Sequence, residues 1–373
     1  MVRRAAVVGV SPGEICGVHD HARLLAGGLG AEGVECSMHW LVRERSGLQA
    51  EREEMAGFAR RLREELPRSK ADVVLLHYSV FAFAHRGLPL FVPSLLGAVR
   101  AAGLPVVTVL HEAVYPWNVG GARGKLWAAS QRAALIDLVR LSGALLVTAD
   151  FRADWLRSRL WLPRRPLAVA PVFSNLPEPR PVAPSERDGE TVGLFGYSYE
   201  GTNHELVLDA LALVCAEGRR ACLRLLGAPG PDSDAARSWR QGAAVRGLEG
   251  SLSFSGRLGE QELSDELARC DVLLCIAALG PTSRKGSLAG SLASGRPVLA
   301  LDGPRTWQEL VEADALRVAA QSPQALAAGL GELLGDVGLQ EELGARGRAF
   351  ALERMGVGRT AEAVMELTRR LGV

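Results

Sequence analysis

No stretch of the 373-residue sequence stays apolar over the roughly 18 to 20 residues needed to cross a bilayer. The opening MVRRAAVVGVSPGE has neither the long apolar region nor the small-residue cleavage site of a secretory leader. A cytoplasmic protein is therefore expected. Cysteine is scarce: Cys16, Cys36, Cys215, Cys222, Cys270 and Cys275 show no CxxC spacing and no metal-ligand cluster. Several sit in apolar runs such as DVLLCIAAL, so buried reduced thiols are expected. HExxH is absent, and no third ligand at suitable spacing accompanies the histidines that end two predicted strands, so no zinc centre and no other metal are expected. The dinucleotide fingerprint GxGxxG is missing as well. Net charge is only +1, which argues against bulk nucleic-acid binding. That charge is unevenly spread: residues 1–180 hold 23 basic against 16 acidic residues, so the first half carries +7 and the remainder −6. An anionic surface or phosphorylated substrate met by the first half explains this, and so does a solvated basic face.

What the sequence does have is a core's worth of apolar residues, 48% against 23% charged, on a chain too long for one ordinary domain. Short, continuous, β-branched runs read as buried parallel strands: RAAVVGV, ADVVLLHY, PVVTVLHE and GALLVTAD, then TVGLFGY, ACLRLLG, SLSFSG, DVLLCIA and RPVLALD. Amphipathic stretches such as HDHARLLAGGLGAEG, EREEMAGFARRLREEL and HELVLDALALVCAEG lie between them. The proline- and turn-rich APVFSNLPEPRPVAPSERDGE interrupts this βαβ rhythm as a linker would. The expected fold class is α/β, two Rossmann-like doubly wound domains facing a cleft. Residues 1–175 form the first, 176–190 the linker, 191–355 the second, and 356–373 a closing helix able to pack on either domain.

Parallel sheets bind ligands beyond the carboxyl ends of their strands, so the strand-to-helix loops are where chemistry is sought. VGVSPGEICGVHDHARLL offers glycines, among them Gly17, that let a ligand near the backbone; a plain strand-helix turn explains it as well. TVLHEAVYPW places His111 and Glu112 after a strand, with Tyr115 and Trp117 beyond. An imidazole beside a carboxylate can orient a sugar hydroxyl or trade a proton, and aromatic faces stack on pyranoses; a loop whose histidine bonds to backbone is the plain alternative. His77 and Tyr78 end the previous strand and add a polar pair to that rim. FGYSYEGTNHELVLDAL has glycines at its turns and His204 near a helix start, where N–H groups meet a phosphate. Finally, in GPTSRKGSLAGSLASGRPVLALDGP a helix beginning near Arg284 would bring its N–H groups, the hydroxyls of Thr282 and Ser283, and the cations of Arg284 and Lys285 together, as a pyrophosphate requires. Small residues at Gly286, Ala289, Gly290 and Ser294 let that helix sit close to a sheet, which packing alone also explains.

Taken in order, these pieces resemble the GT-B glycosyltransferases, more specifically family 4 of the retaining nucleotide-sugar-dependent enzymes. SPGEICGVHDHARLLAGGLGAEGVE is similar to their amino-terminal glycine loop and first helix. PVVTVLHE resembles the strand with a terminal histidine, LAVAPVFSNLP the entry to the linker, and LSFSGRLGEQELSDELARCDVLLCIA followed by LASGRPVLA the donor-domain run that ends in ASGxPVV. The resemblance implies transfer of a sugar from a nucleotide-sugar donor, with retention and without a metal ion or cofactor, to an acceptor of unknown class: a glycan, a lipid-linked molecule or a small molecule. On this reading His111 and Glu112 are catalytic. Gly17, Gly196, Tyr197, Thr202, His204, Arg257, Leu258, Thr282, Ser283, Arg284, Lys285, Gly286 and Ser287 face the donor, and His19, His77, Tyr78, Tyr115 and Trp117 the acceptor.

The chain departs from that family where two glutamates, eight positions apart, usually precede ASGxPV; Thr282 and Gly290 stand there. Thr202 also occupies a place where a phosphate-binding lysine is common, a loss that Arg284 and Lys285 could make good. A noncatalytic relative that binds a partner accounts for the missing carboxylates. A nucleotide-sugar epimerase is a further alternative, with His204 its candidate histidine on the donor side. In FRADWLRSRLWLPRRP, residues 151–166, Arg152, Arg157, Arg159, Arg164 and Arg165 interleave with Trp155, Leu156, Leu160, Trp161 and Leu162. Such a stretch suits a weak peripheral membrane contact, although an amphipathic helix with inward tryptophans is the favoured expectation.

Overall fold

The structure is a computed structural model that describes every residue except 1, 15, 182–189 and 198–202. The chain divides into two compact units, Met1–Pro171 with Val357–Val373, and Val172–Gly356. In the first unit the order is β1 (Arg4–Ser11), α1 (Gly17–Ala31), β2 (Glu35–Val42), α2 (Leu48–Glu65), β3 (Val73–Ser79), α3 (Val92–Ala101), β4 (Val106–Glu112), α4 (Gly121–Leu141), β5 (Ala144–Val147), α5 (Asp150–Arg157) and β6 (Leu167–Val169). In the second it is β7 (Thr191–Phe195), α6 (His204–Ala216), β8 (Cys222–Leu226), α7 (Asp234–Ala244), β9 (Leu252–Gly256), α8 (Glu260–Arg269), β10 (Val272–Cys275), α9 (Gly286–Ala293), β11 (Val298–Leu301), α10 (Gln308–Glu312), β12 (Arg317–Ala319), α11 (Pro323–Gly335) and α12 (Val337–Arg354). The closing helix α13 (Val357–Arg370) belongs to the first unit.

Both sheets are six-stranded and parallel, in the orders β2-β1-β3-β4-β5-β6 and β12-β11-β10-β7-β8-β9. Central strands are buried on both faces because helices cover both, which is why their sequences run apolar without alternation. Helix starts carry the expected oxygen caps: Asn203, Ser233, Ser322 and Asp336 accept from the backbone N–H three residues on, at α6, α7, α11 and α12. The apolar stripe of α13, with Val364 and Leu367 buried, lies on α1 and β5; Gly28 faces Val357, and Gly143 leaves room for Leu371.

Each strand order reverses once, between β1 and β3 in the first unit and between β7 and β10 in the second. At such a switch point the flanking helices leave to opposite faces and open a crevice beyond the strand ends. The loops after β1 and β3, and those after β7 and β10, are thus where the fold makes room for ligands.

The segment expected to open a linker at residue 176 is tied instead to the second unit. Val172 N–H donates to Ser283 O at 2.8 Å, Ser264 Oγ to Pro177 O at 2.6 Å, and Arg180 N–H to the buried carboxylate of Asp265 at 2.8 Å. The cysteines are all free thiols. Only Cys270 and Cys275 are buried, however, and Cys222 is exposed at the start of β8.

Candidate active site

In the first unit three imidazoles meet at the switch point. His77 is in β3, His111 in β4 beside it, and His21 enters from the second turn of α1. His77 Nδ1 and His111 Nε2 share a hydrogen bond of 3.1 Å, and the two rings stack at 5.3 Å. The His21 ring stands edge-on to both, at 5.7 Å from His77 and 5.0 Å from His111. His21 and His77 are buried; His111 is half-buried and forms the open side of the group. Burial lowers the pKa of His21 to about 4. Burial also holds His77 and His111 well below the usual imidazole range, reinforced by neighbouring imidazoles and, at His111, by the Arg152 guanidinium. All three rings are therefore neutral at pH 7, able to give or accept a hydrogen bond but not to act as cations. Arg152 of α5 donates to the His111 carbonyl and fixes the backbone from which the ring projects.

His21 is the residue that sequence reasoning missed. Sequence spacing shows no third ligand for His77 and His111, but the fold brings one from another element, through strand order rather than spacing. Tyr78 also differs from expectation. Successive side chains of a strand point to opposite faces, so Tyr78 turns into the core and stacks on Phe83 at 5.2 Å instead of joining His77. Its burial pushes the phenol well above its ordinary value.

Of the first unit's other candidates, His19 reaches this group through Trp40, whose ring lies 6.1 Å from that of His77. His19 lies against Trp40 with ring centroids 4.9 Å apart, and Trp40 itself covers Gly9 so closely that a Cβ there would come within 2.1 Å of the indole. Gly17 opens α1 with free space where a side chain would go. Glu112 is half-buried at the end of β4. The Tyr115 ring packs edge-on to Trp127 at 5.3 Å and its N–H donates to Gln131. Trp117 is exposed, with the Arg132 guanidinium 4.4 Å above its ring.

In the second unit the loop after β10 leads to α9 at the switch point. Gly280, at φ 87°, lies so close to Thr306 that a Cβ would meet its Oγ1 at 2.3 Å, which makes glycine necessary there. Thr282 and Ser283 are buried, and the Thr282 hydroxyl has no hydrogen-bond partner among the described residues. The helix begins at Gly286, two residues later than expected, because Lys285 is extended; Lys285 supplies no side-chain cap. N–H groups of Gly286, Ser287 and Leu288 thus have no acceptor within the helix and point out of its positive end. Burial lowers the Lys285 pKa; the Cys275 sulfur offsets this in part and the Arg284 charge adds to it. At position 290 a Cβ would lie 3.2 Å from Leu176, 3.6 Å from Phe195 and 3.7 Å from Ser174, so only a side chain that displaces this apolar cover could follow it.

The other donor candidates scatter. Gly196, at φ 82°, follows β7 on the far side of the same switch point. Tyr197 is buried, its hydroxyl donating to Gly230 O at 3.2 Å and accepting from Gly230 N–H at 2.9 Å, so this side chain pins a loop rather than facing solvent. His204 opens α6 next to Glu205 and 5.7 Å from Trp239. Arg257 and Leu258 follow β9 at the sheet edge, two strands from the switch. Thr202 lies outside the described residues.

In the 151–166 stretch, α5 ends at Arg157. Trp155 is half-buried and meets Trp161 edge-on at 6.1 Å, while Leu160 is 92% exposed and Trp161 also faces solvent. Trp155 packs against the core of the first unit as expected, whereas Trp161 does not turn inward, because the helix stops before it. No helix among the described residues is long and apolar enough to cross a membrane.

Residues 189–336 match the family described as Glycosyl transferases group 1. Among solved structures, the chain is similar to a sucrose-phosphate synthase from Thermosynechococcus elongatus, at 16% identity over 99% of each chain and a TM-score of 0.68. It is also similar to Anabaena Alr3699/HepE in complex with UDP and glucose, at 15% identity over 98% of this chain and 99% of that one, with a TM-score of 0.70. A UDP-GlcNAc 2-epimerase from Neisseria meningitidis bound to UDP-GlcNAc has the same architecture, at 11% identity over 98% of this chain and 100% of that one, with a TM-score of 0.60. No curated protein sequence matches the chain. The fold is thus GT-B, two parallel-sheet Rossmann-like domains.

Proposed function

We propose that the protein is a glycosyltransferase that moves a sugar from a nucleoside diphosphate donor to an acceptor with retention of configuration. The observation that carries this reading is the α9 start. A helix end with unspent N–H groups, two adjacent cations and a buried hydroxyl lies at the switch point of the unit that matches the group 1 glycosyltransferase family. In such a transfer positive charge builds on the anomeric carbon and negative charge on the departing diphosphate. Arg284, Lys285 and the helix N–H groups meet that negative charge, so no metal ion is needed at the phosphates. On this reading Thr282 and Ser283 shape the loop, and Gly286 lets the diphosphate approach the backbone. His111, neutral and half-buried, gives a hydrogen bond to a sugar hydroxyl rather than attacking as a nucleophile. Retention follows if the leaving phosphate takes the acceptor proton on the face it departs from. That the solved neighbour from Anabaena holds UDP and glucose favours a uridine nucleotide.

The experiment is a thermal-shift screen with UDP, GDP, ADP and dTDP sugars, followed by product analysis with the stabilising donor. At a ligand concentration about a hundredfold above Kd the gain is about 2.7 kcal/mol, a clear upward shift in Tm. One stabilising donor that is consumed supports transfer. A donor converted to another sugar nucleotide without an acceptor points to an epimerase, and no stabilisation by any of the four leaves a noncatalytic protein.

A further inference from the structure

We propose that His21, His77 and His111 form a binding site for one divalent transition-metal ion of the zinc class, whose occupancy withdraws His111 from the sugar. The site stands on the geometry of the first unit and does not depend on the transferase reading. One nitrogen from each of the three rings lies within 4.8 Å of the other two. Two imidazoles on a tetrahedral zinc with bonds of about 2.0 to 2.1 Å have their nitrogens about 3.3 Å apart. His77 Nδ1 and His111 Nε2 are already at 3.1 Å, so only His21 has to move inward, by about 1.5 Å at most, to complete a three-nitrogen face.

The hydrogen bond between His77 Nδ1 and His111 Nε2 joins the two nitrogens that would face the ion. His21 and His77 are buried, so packing holds two of the three rings in place. Three imidazoles brought together from a helix and two strands, with one nitrogen of each within 4.8 Å of the others, are what a borderline cation offers a reason for. The half-buried face of His111 leaves a fourth position for water or an anion, as in open three-histidine sites. Affinity should nonetheless be modest. The group of potential ligands contains no carboxylate, and the Arg152 guanidinium beside His111 opposes a cation. An exchangeable ion is therefore expected rather than a permanent structural one, and an ion bound to His111 competes with that ring's bond to a sugar hydroxyl.

The test uses the full-length, untagged protein, stripped with a chelator and titrated with Co2+ and then Zn2+. One equivalent of Co2+ should give an intense ligand-field spectrum of a four-coordinate ion, displaced by Zn2+, with native mass spectrometry showing one ion per chain. His21→Asn and His77→Asn, each checked for fold by circular dichroism, should weaken binding at least tenfold. Where a donor is consumed, transfer should fall with the same midpoint as Zn2+ occupancy. A weak six-coordinate spectrum, or tight binding unchanged in both folded variants, overturns the site. Full transfer by the zinc-loaded protein overturns the competition. The spectrum is read without any donor, so a failed transferase reading leaves it intact.

Discussion

Replacing Arg284 and Lys285 together with alanine tests where the donor diphosphate is held. Both side chains are half-buried at the start of α9, and the structure shows them working against each other. Burial first lowers the Lys285 pKa, and the adjacent Arg284 charge lowers it further, with Cys275 acting in the opposite sense. An incoming diphosphate relieves that repulsion while accepting from both side chains. A charge-assisted hydrogen bond contributes about 1.5 to 3 kcal/mol when well shielded. With the two groups still in reach of water, about 1 kcal/mol each is the better figure. Removing both should cost about 2 kcal/mol, a thirtyfold rise in Kd, with tenfold as the floor. Binding should not vanish, because the N–H groups of Gly286, Ser287 and Leu288 belong to the backbone. Isothermal calorimetry with UDP measures the change, and the Tm of the free variant shows that the fold is kept. Added salt should weaken the wild type more than the variant, since the charges that salt screens are gone from the latter. An unchanged Kd, or an identical salt dependence, refutes the assignment of the diphosphate to this loop.

Two further outcomes are expected. His111→Ala should fold normally and lose transfer by about a hundredfold, the scale of a positioned hydrogen-bonding or proton-transferring side chain, as read from kcat/KM; full retained activity removes His111 from the site. Asp265 is buried, which raises its pKa, but the backbone and side-chain N–H groups of Arg180 and the amide of Gln261 outweigh that and hold it below the ordinary carboxylate value. Its folded pKa is thus below its unfolded one of about 3.9, so its contribution to stability is complete above about pH 4 and is lost as pH falls through the folded value. In urea unfolding below about pH 4, Asp265→Asn should therefore show a shallower loss of stability than the wild type; parallel curves contradict the linkage.

What the sequence could and could not disclose follows from where each residue sits in the two sheets. Nine strands were legible as continuous apolar runs, and eight of them are central or buried on both faces. The three that were not, β2, β6 and β12, are edge strands. Their burial is partial and mixed, as in ECSMHWLV, so selection for a dry environment acts on few of their positions and neither an apolar run nor a clean alternation develops. The same reasoning explains the sites. The α9 loop could be found because its cations, hydroxyls and small residues are contiguous, and strand order then only had to put it at a crevice. The histidine group could not be found by spacing, since His21, His77 and His111 lie more than thirty residues apart and meet only because β1, β3 and β4 are neighbours in the sheet. A signal was nonetheless present. With β1 placed next to β3 by the flavodoxin-like reversal, the inner face of α1 must look toward the end of β3, and its first inward polar residue is His21. Topology, once predicted, is therefore the step that converts scattered histidines into a candidate centre, and a change that moved α1 without touching any histidine should dismantle it as surely as His77→Asn.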